Sequence, residues 1–174
     1  GSEIAQSLPL VLEQLKHYDF DFIIAETSGI GQANTAITEV SDLSLYVMTS
    51  EFGAQSQLEK IDMIDFADLI AINKADRRGS LDALRDVRKQ YKRSRKMFQA
   101  LDETLPVFLT QAAQFNDQGC NDLFFKLVEL LEQKQKTWQW PSDAQKNLKG
   151  AHRQFIVPPD RQNYLAEISA TVRR

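Results

Sequence analysis

The sequence predicts an α/β protein of three layers, with a parallel sheet between helices on both of its faces. Four short segments rich in β-branched and aromatic residues alternate with longer stretches of helical periodicity. Each of the four is a near-continuous apolar run, the pattern of a strand covered on both sides.

The elements follow in order. Leu8, Leu12 and Leu15 share one helical face, with Ser7 placed to cap that helix and Pro9 tolerable in its first turn. The first strand is expected from Asp21 to Glu26 and the second from Leu43 to Met48. Leu58, Ile61 and Ile64 then recur at every third position, ahead of a third strand from Asp68 to Asn73. Behind Ser80 as a cap, Leu81, Leu84, Val87, Tyr91 and Phe98 form an apolar stripe, while Arg85, Arg88, Lys89 and Lys92 take the wet side. A fourth strand is expected from Pro106 to Thr110, followed by a helix capped by Asn121 with Leu123, Leu127, Leu130 and Leu131 turned inward. From Thr137 onward Trp138, Trp140, Pro141, Gly150 and the Pro158-Pro159 pair read as a linker, and a last helix is expected from 160 to 172.

Composition narrows the function. With 174 residues, 43% apolar and 26% charged, the chain has the make-up of a globular domain able to bury a single core. A net charge of -3 supplies no basic field for nucleic acid, and the cluster from Lys89 to Lys96 reads as a solvated helix face. No run is long and apolar enough for a membrane span, and no signal-peptide pattern opens the chain, so a cytoplasmic protein is expected. Cys120 is the only cysteine, which excludes an intramolecular disulfide, and His17 and His152 lack metal-ligand spacing. Gly1-Ser2 has the look of a cloning remnant, which suggests a piece of something longer.

Asn73-Lys74-Ala75-Asp76 follows the third strand, where an open parallel sheet presents its ligand-binding loops. Asp76 can accept two N–H bonds from the edge of guanine, Asn73 adds an amide, and the stem of Lys74 can lie over the base. Adenine lacks the second of those donors and leaves a carboxylate oxygen unpaired, a loss that discriminates by roughly 10⁴-fold. Glu26-Thr27-Ser28-Gly29 follows the first strand, so a carboxylate projects from the sheet top three residues before a glycine. That arrangement suits Mg²⁺ held by Glu26 through water, with the Gly29 N–H meeting a γ-phosphate oxygen. Thr110-Gln111-Ala112 follows the fourth strand, and Ala112 or its neighbour can donate an N–H to the guanine carbonyl. The stretch from Thr49 to Gly53 closes the remaining strand top as a candidate mobile loop.

None of the seven glycines belongs to a Gly-x-x-x-x-Gly-Lys-Ser/Thr loop. That loop would supply the N–H cradle and lysine for the phosphates, so this chain by itself is expected to bind GTP weakly and not to hydrolyse it measurably. The fold is therefore read as P-loop-NTPase-like but truncated at its N-terminus. A partial G domain spans 3–136, and a linker and helix span 137–174.

At Glu26-Thr27-Ser28-Gly29-Ile30-Gly31-Gln32, at Tyr46 to Ala54 and at Leu58 to Met63, the sequence closely resembles the G-protein domain of the fused isobutyryl-CoA mutases. The likeness runs from about residue 3 to residue 174, through Asn73-Lys74-x-Asp76, Ala83 to Tyr91, Gln114 to Asp117 and Tyr164 to Ile168. It implies a GTPase chaperone domain, using GTP or GDP with Mg²⁺, that gates loading and protection of adenosylcobalamin in an enzyme interconverting isobutyryl-CoA and n-butyryl-CoA. The mutase domains of the same parent chain would be its partners. By that resemblance Glu26 and Gly29 fall in the second switch, Ser50 to Ala54 near a third, and Asn73, Lys74 and Asp76 at the base. Glu26 replaces the usual aspartate, and Ile30 stands where a glutamine often orients the attacking water, so slow hydrolysis is implied, with Gln32 as a candidate to reach that water. Two other readings stand beside this one: a stand-alone G-protein metallochaperone, and a nucleotide-independent module that forms a homodimer through exposed surfaces.

Overall fold

A computed structural model of the chain describes residues 5–18, 20–27, 36–51, 58 and 61–135. In chain order the described elements are α1 (Leu8–Leu15), α2 (Ala36–Val40), β1 (Leu45–Thr49), α3 (Asp62–Phe66), β2 (Leu69–Asn73), α4 (Ser80–Ser94), a 3-10 turn (Asp102–Thr104), β3 (Val107–Leu109) and α5 (Gln118–Lys134). The three strands make an open parallel sheet in the order β1-β2-β3. With its flanking helices this is the α/β, P-loop-NTPase-like arrangement that the strand and helix alternation predicts.

Parallel pairing places Tyr46 beside Ile70 and Met48 beside Ile72, and Ile70 beside Val107. These side chains share one face and form the main core with Leu58, Ile61, Met63, Ile64, Val87 and Tyr91. Leu69 and Ala71 belong to the opposite face and are equally buried, because α5 runs against β2 and β3. The centre of the sheet is therefore dry on both sides, as a parallel strand requires. At β1 it is not: Leu45 is 43% and Val47 56% exposed, so the expectation of cover on both faces fails for this strand.

The expected first strand is absent. Residues 21–26 are described without strand structure, and Phe22 and Ile24 are exposed. A β-branched run makes a strand only where a neighbour offers a ladder, and β1 pairs with β2 alone among the described strands.

Three caps and two apolar positions also differ from expectation. Ser7 occupies the N-cap of α1, and Pro9 lies in the first turn, but the serine side chain makes no capping bond. Gly79, with a φ of 86°, is the N-cap of α4, and Ser80 Oγ instead donates to the Ala75 carbonyl at 2.8 Å. Asp117, not Asn121, caps α5. Leu81 and Phe98 are exposed. The buried side of α4 is centred on Ser80, Val87 and Tyr91, which turns Leu81 about 100° away, and Phe98 lies past the last helical turn. On α5 it is Val128 that is fully buried, and Leu123, Leu127, Leu130 and Leu131 are half-buried around it. The linker and helix expected over 137–174 lie outside the described residues. No helix among those described is long and apolar enough to cross a membrane.

Candidate nucleotide site at the strand ends

β1 and β2 end on the same rung, Thr49 beside Asn73, and the chain leaves β2 there into a turn. Lys74 has a φ of 59°, in the left-handed region that costs a residue with a Cβ about 1–2 kcal/mol. Neighbouring bonds hold that conformation: the Ala75 N–H donates to the Thr110 carbonyl at 3.0 Å, and the Arg77 N–H donates to the Lys74 carbonyl at 3.0 Å. Asp76 sits inside this closed turn with its side chain exposed, and Lys74 is exposed beside it. A strained turn fixed from both sides keeps this carboxylate open to solvent.

The loop after β3 is locked onto the same turn. Asn73 Oδ1 accepts the Ala112 N–H at 3.1 Å and the Thr110 hydroxyl at 3.3 Å. The Thr110 N–H in turn donates to the Ile72 carbonyl at 2.9 Å. The structure thus brings Asn73, Lys74, Asp76, Thr110, Gln111 and Ala112 together at one end of the sheet. With its oxygen engaged, the Asn73 amide has its Nδ2 hydrogens left to donate.

Asp117, which sequence reasoning did not place at the site, belongs to this arrangement as well. It is buried, and one carboxylate oxygen, Oδ2, accepts the Gln111 N–H at 3.1 Å and the Cys120 N–H at 2.9 Å. One side chain therefore closes the first turn of α5 and pins the loop after β3. The signal available was an aspartate two residues before Gly119, at the start of an apolar-periodic stretch. Gly119 is there for space: a Cβ would fall 1.7 Å from the Leu109 carbonyl oxygen. Burial first, and then the Asp117 carboxylate, push the Cys120 thiol above its usual range.

The N–H groups of Gln111 and Ala112 are both spent within the protein, so the Ala112 N–H expected to meet a base carbonyl is already engaged, whereas the N–H of its neighbour, Ala113, has no partner among the described residues. Glu26 is exposed and makes no hydrogen bond or ion pair with the Asn73–Asp76 turn. Gly29 and Gln32, expected near the terminal phosphate, lie outside the described residues. No group of three or more His, Cys, Asp or Glu side chains among those described is placed to hold a metal ion.

The chain is 49% identical over 172 residues to the fused isobutyryl-CoA mutase of Geobacillus kaustophilus, covering 99% of this chain and 16% of that protein. It is 51% identical over 176 residues to the fused isobutyryl-CoA mutase of Cupriavidus metallidurans, again covering 99% of this chain and 16% of the relative. A putative GTPase of Caulobacter vibrioides is 40% identical over 57 residues, 33% of this chain and 18% of that protein. The chain thus spans about one-sixth of the length of the fused mutases it matches. A family model described as Methylmalonyl Co-A mutase-associated GTPase MeaB matches residues 3–156. On that match, which covers most of the sequence, this chain belongs to the family of methylmalonyl-CoA mutase-associated GTPases.

Proposed function

We propose that this chain is the guanine-recognising part of a GTPase domain carried by an adenosylcobalamin-dependent acyl-CoA mutase acting on isobutyryl-CoA and n-butyryl-CoA, where the domain gates loading and protection of the cofactor. One observation supports the nucleotide part above all others: Asn73 Oδ1 joins two strand-end loops by accepting from Ala112 and Thr110, and this leaves the Asp76 carboxylate exposed in a turn closed on both sides. Asp76 would accept the two donors of the guanine edge, Asn73 Nδ2 and the Ala113 N–H would donate to its acceptors, and the Lys74 stem would cover the ring. The near-complete coverage by fused mutase relatives supports the setting in a larger enzyme, with residues 3–136 as the G-domain portion and 137–174 as the connection onward.

Glu26 is the carboxylate we assign to Mg²⁺ through water. Alone it does not make a magnesium site, since that ion keeps to octahedral oxygen ligands drawn largely from phosphates and water. Gly29 and Gln32 are assigned to the terminal phosphate and its attacking water. The cobalamin belongs, in this reading, to other domains of the parent, and a cytoplasmic location goes with it.

The test is calorimetry on the full-length protein. GDP is expected to bind at least a hundredfold more tightly than ADP, and Asp76→Ala to abolish that preference. Equal affinities, or a preference untouched by the substitution, would sink the assignment. A second reading, self-association, is favoured by one feature: Leu45 and Val47 on β1, which among the described strands is paired on one side only, with Phe20, Phe22 and Ile24 exposed elsewhere in the chain, leave apolar surface open. Light scattering of the 174-residue chain across a concentration series distinguishes it, since a mass that rises to the dimer would support that reading.

A further inference from the structure

Ladder hydrogen bonding between β1 and β2 stops at Thr49 and Asn73. Above that rung the described residues join the two loops through side chains, with Arg77 Nη1 donating to Glu51 Oε1. Arg77 is the residue directly after Asp76, and Glu51 stands two residues past the end of β1. Arg77 therefore has two tasks. Its N–H closes the turn around Asp76 by donating to Lys74, and its guanidinium fastens that turn to the segment leaving β1.

The segment leaving β1 has a reason to move. Ser50 Oγ is buried and has no hydrogen-bond partner among the described residues. An unmet buried hydroxyl favours any other arrangement in which it finds a partner, and such an arrangement competes with the contact between Glu51 and Arg77. Both members of the pair are substantially exposed, Arg77 by 42% and Glu51 by 63%, so the contact adds little to the stability of the whole fold. Its leverage is local, on one turn and one loop.

We propose that Arg77 is a positioning residue that couples base binding at Asp76 to the arrangement of Ser50 and Glu51. The inference rests on the guanine reading of Asp76. A nucleotide seated at Asp76 adds its contacts to the turn that carries Arg77, holds Arg77 in place and so favours the arrangement in which Glu51 is held. By linkage, whatever draws Glu51 away from Arg77 weakens base binding by the same factor. For an exposed pair that factor is about two- to fivefold.

A mutant cycle in the full-length protein tests this, read by titration of fluorescent GDP. Arg77→Ala and Glu51→Ala are each expected to raise Kd about two- to fivefold, and the double alanine variant to be no worse than either single. Exchanging the charges, Glu51→Arg with Arg77→Glu, is expected to return Kd to within about twofold of wild type, and Arg77→Lys to stay within the same range. The differences between variants should vanish near 1 M salt. A second readout separates coupling from general damage. GDP is expected to slow hydrogen exchange at the Ser50 and Glu51 amides in wild type but not in Arg77→Ala.

Unchanged Kd values, additive effects in the double variant, or failure of the exchanged pair to recover would overturn the proposal. The control is ADP. Equal binding of GDP and ADP by the wild type would remove the guanine reading and this inference with it, whereas a clear guanine preference with an additive cycle would remove the inference alone.

Discussion

The guanidinium carbon of Arg95 lies 3.8 Å from the centroid of the Tyr91 ring, one helical turn before it at the end of α4. From that position Nη1 donates to the Ile64 carbonyl at 2.9 Å and Nη2 to the Ala67 carbonyl at 2.7 Å. The carbonyls at the end of α3, which no helical N–H reaches, are thus satisfied by a cation that is itself packed on an aromatic face. Ala67 stands two residues before β2, the strand that delivers Asn73.

Arg95→Ala should therefore loosen β2 from below. Two charge-assisted bonds disappear and two carbonyls lose their partner, a cost of about 2 kcal/mol. Hydrogen exchange at residues 69–73 is expected to become roughly 30-fold faster. Arg95→Lys, which cannot reach both carbonyls with one planar fork, should fall between the two. Unchanged exchange in the alanine variant would mean that water replaces the guanidinium without loss.

Gly119→Ala should strike the opposite end of the sheet. The new methyl group would lie 1.7 Å from the Leu109 carbonyl oxygen, a backbone atom with no freedom to turn aside. The first turn of α5 must then shift away from β3, and the Asp117 bond to Gln111 shifts with it. A loss of about 3 kcal/mol in stability is expected, measured as a fall in the denaturation midpoint, with weaker GDP binding in the same variant. Retained midpoint and affinity would show that the helix relaxes at little cost.

What the sequence made legible was the β1-β2-β3 sheet and the turn at its end, because both are written in contiguous residues. Leu69-Ile70-Ala71-Ile72 is apolar without interruption, as a central parallel strand is, and Asn73 to Asp76 follows it directly. What stayed hidden depends on residues distant in sequence. Asn73 meets Ala112 across 39 positions and Arg77 meets Glu51 across 26, and no local periodicity announces such pairs. The expected strand from Asp21 to Glu26 failed for a related reason, since its apolar run is strand-like in isolation and strand pairing is a property of two segments. Caps were misplaced by a few residues because Ser80 and Asn121 have capping side chains, while the backbone chose Gly79 in the left-handed region and the aspartate nearest the true helix start.

Asp117→Asn separates two effects at Cys120. The thiol is pushed up chiefly by burial and secondly by the Asp117 carboxylate. A thiol whose folded pKa is raised stays protonated beyond its ordinary range; the stability linked to it is full below the unfolded pKa and is lost as pH rises through the folded value. Asparagine keeps an oxygen for the Gln111 and Cys120 N–H groups but removes the negative charge. The midpoint of the pH profile for alkylation of Cys120 by iodoacetamide is expected to move down in Asp117→Asn, yet to remain above that of an exposed cysteine, because burial is the larger cause. Asp117→Ala, which loses the cap as well, should in addition destabilise by about 1 kcal/mol. A profile that does not move would assign the whole shift to burial.

Asn73 carries two duties that substitution can divide. Its oxygen joins the loops by accepting from Ala112 and Thr110, and its nitrogen is the donor we propose for the base. Asn73→Ala removes both, and GDP affinity should fall about 10- to 100-fold. Asn73→Asp keeps an acceptor for Ala112 and Thr110 but has no hydrogen to give. In the aspartate variant the Ala112 amide should therefore stay as protected from exchange as in wild type, while GDP binding still weakens by about tenfold. If the aspartate variant instead bound GDP like wild type, the amide nitrogen would have no part in recognition and Asn73 would serve only to hold the two loops together. If its Ala112 amide exchanged as fast as in Asn73→Ala, the added charge beside Asp76 would be opening the turn, and the weakened binding would follow from that opening rather than from a lost donor.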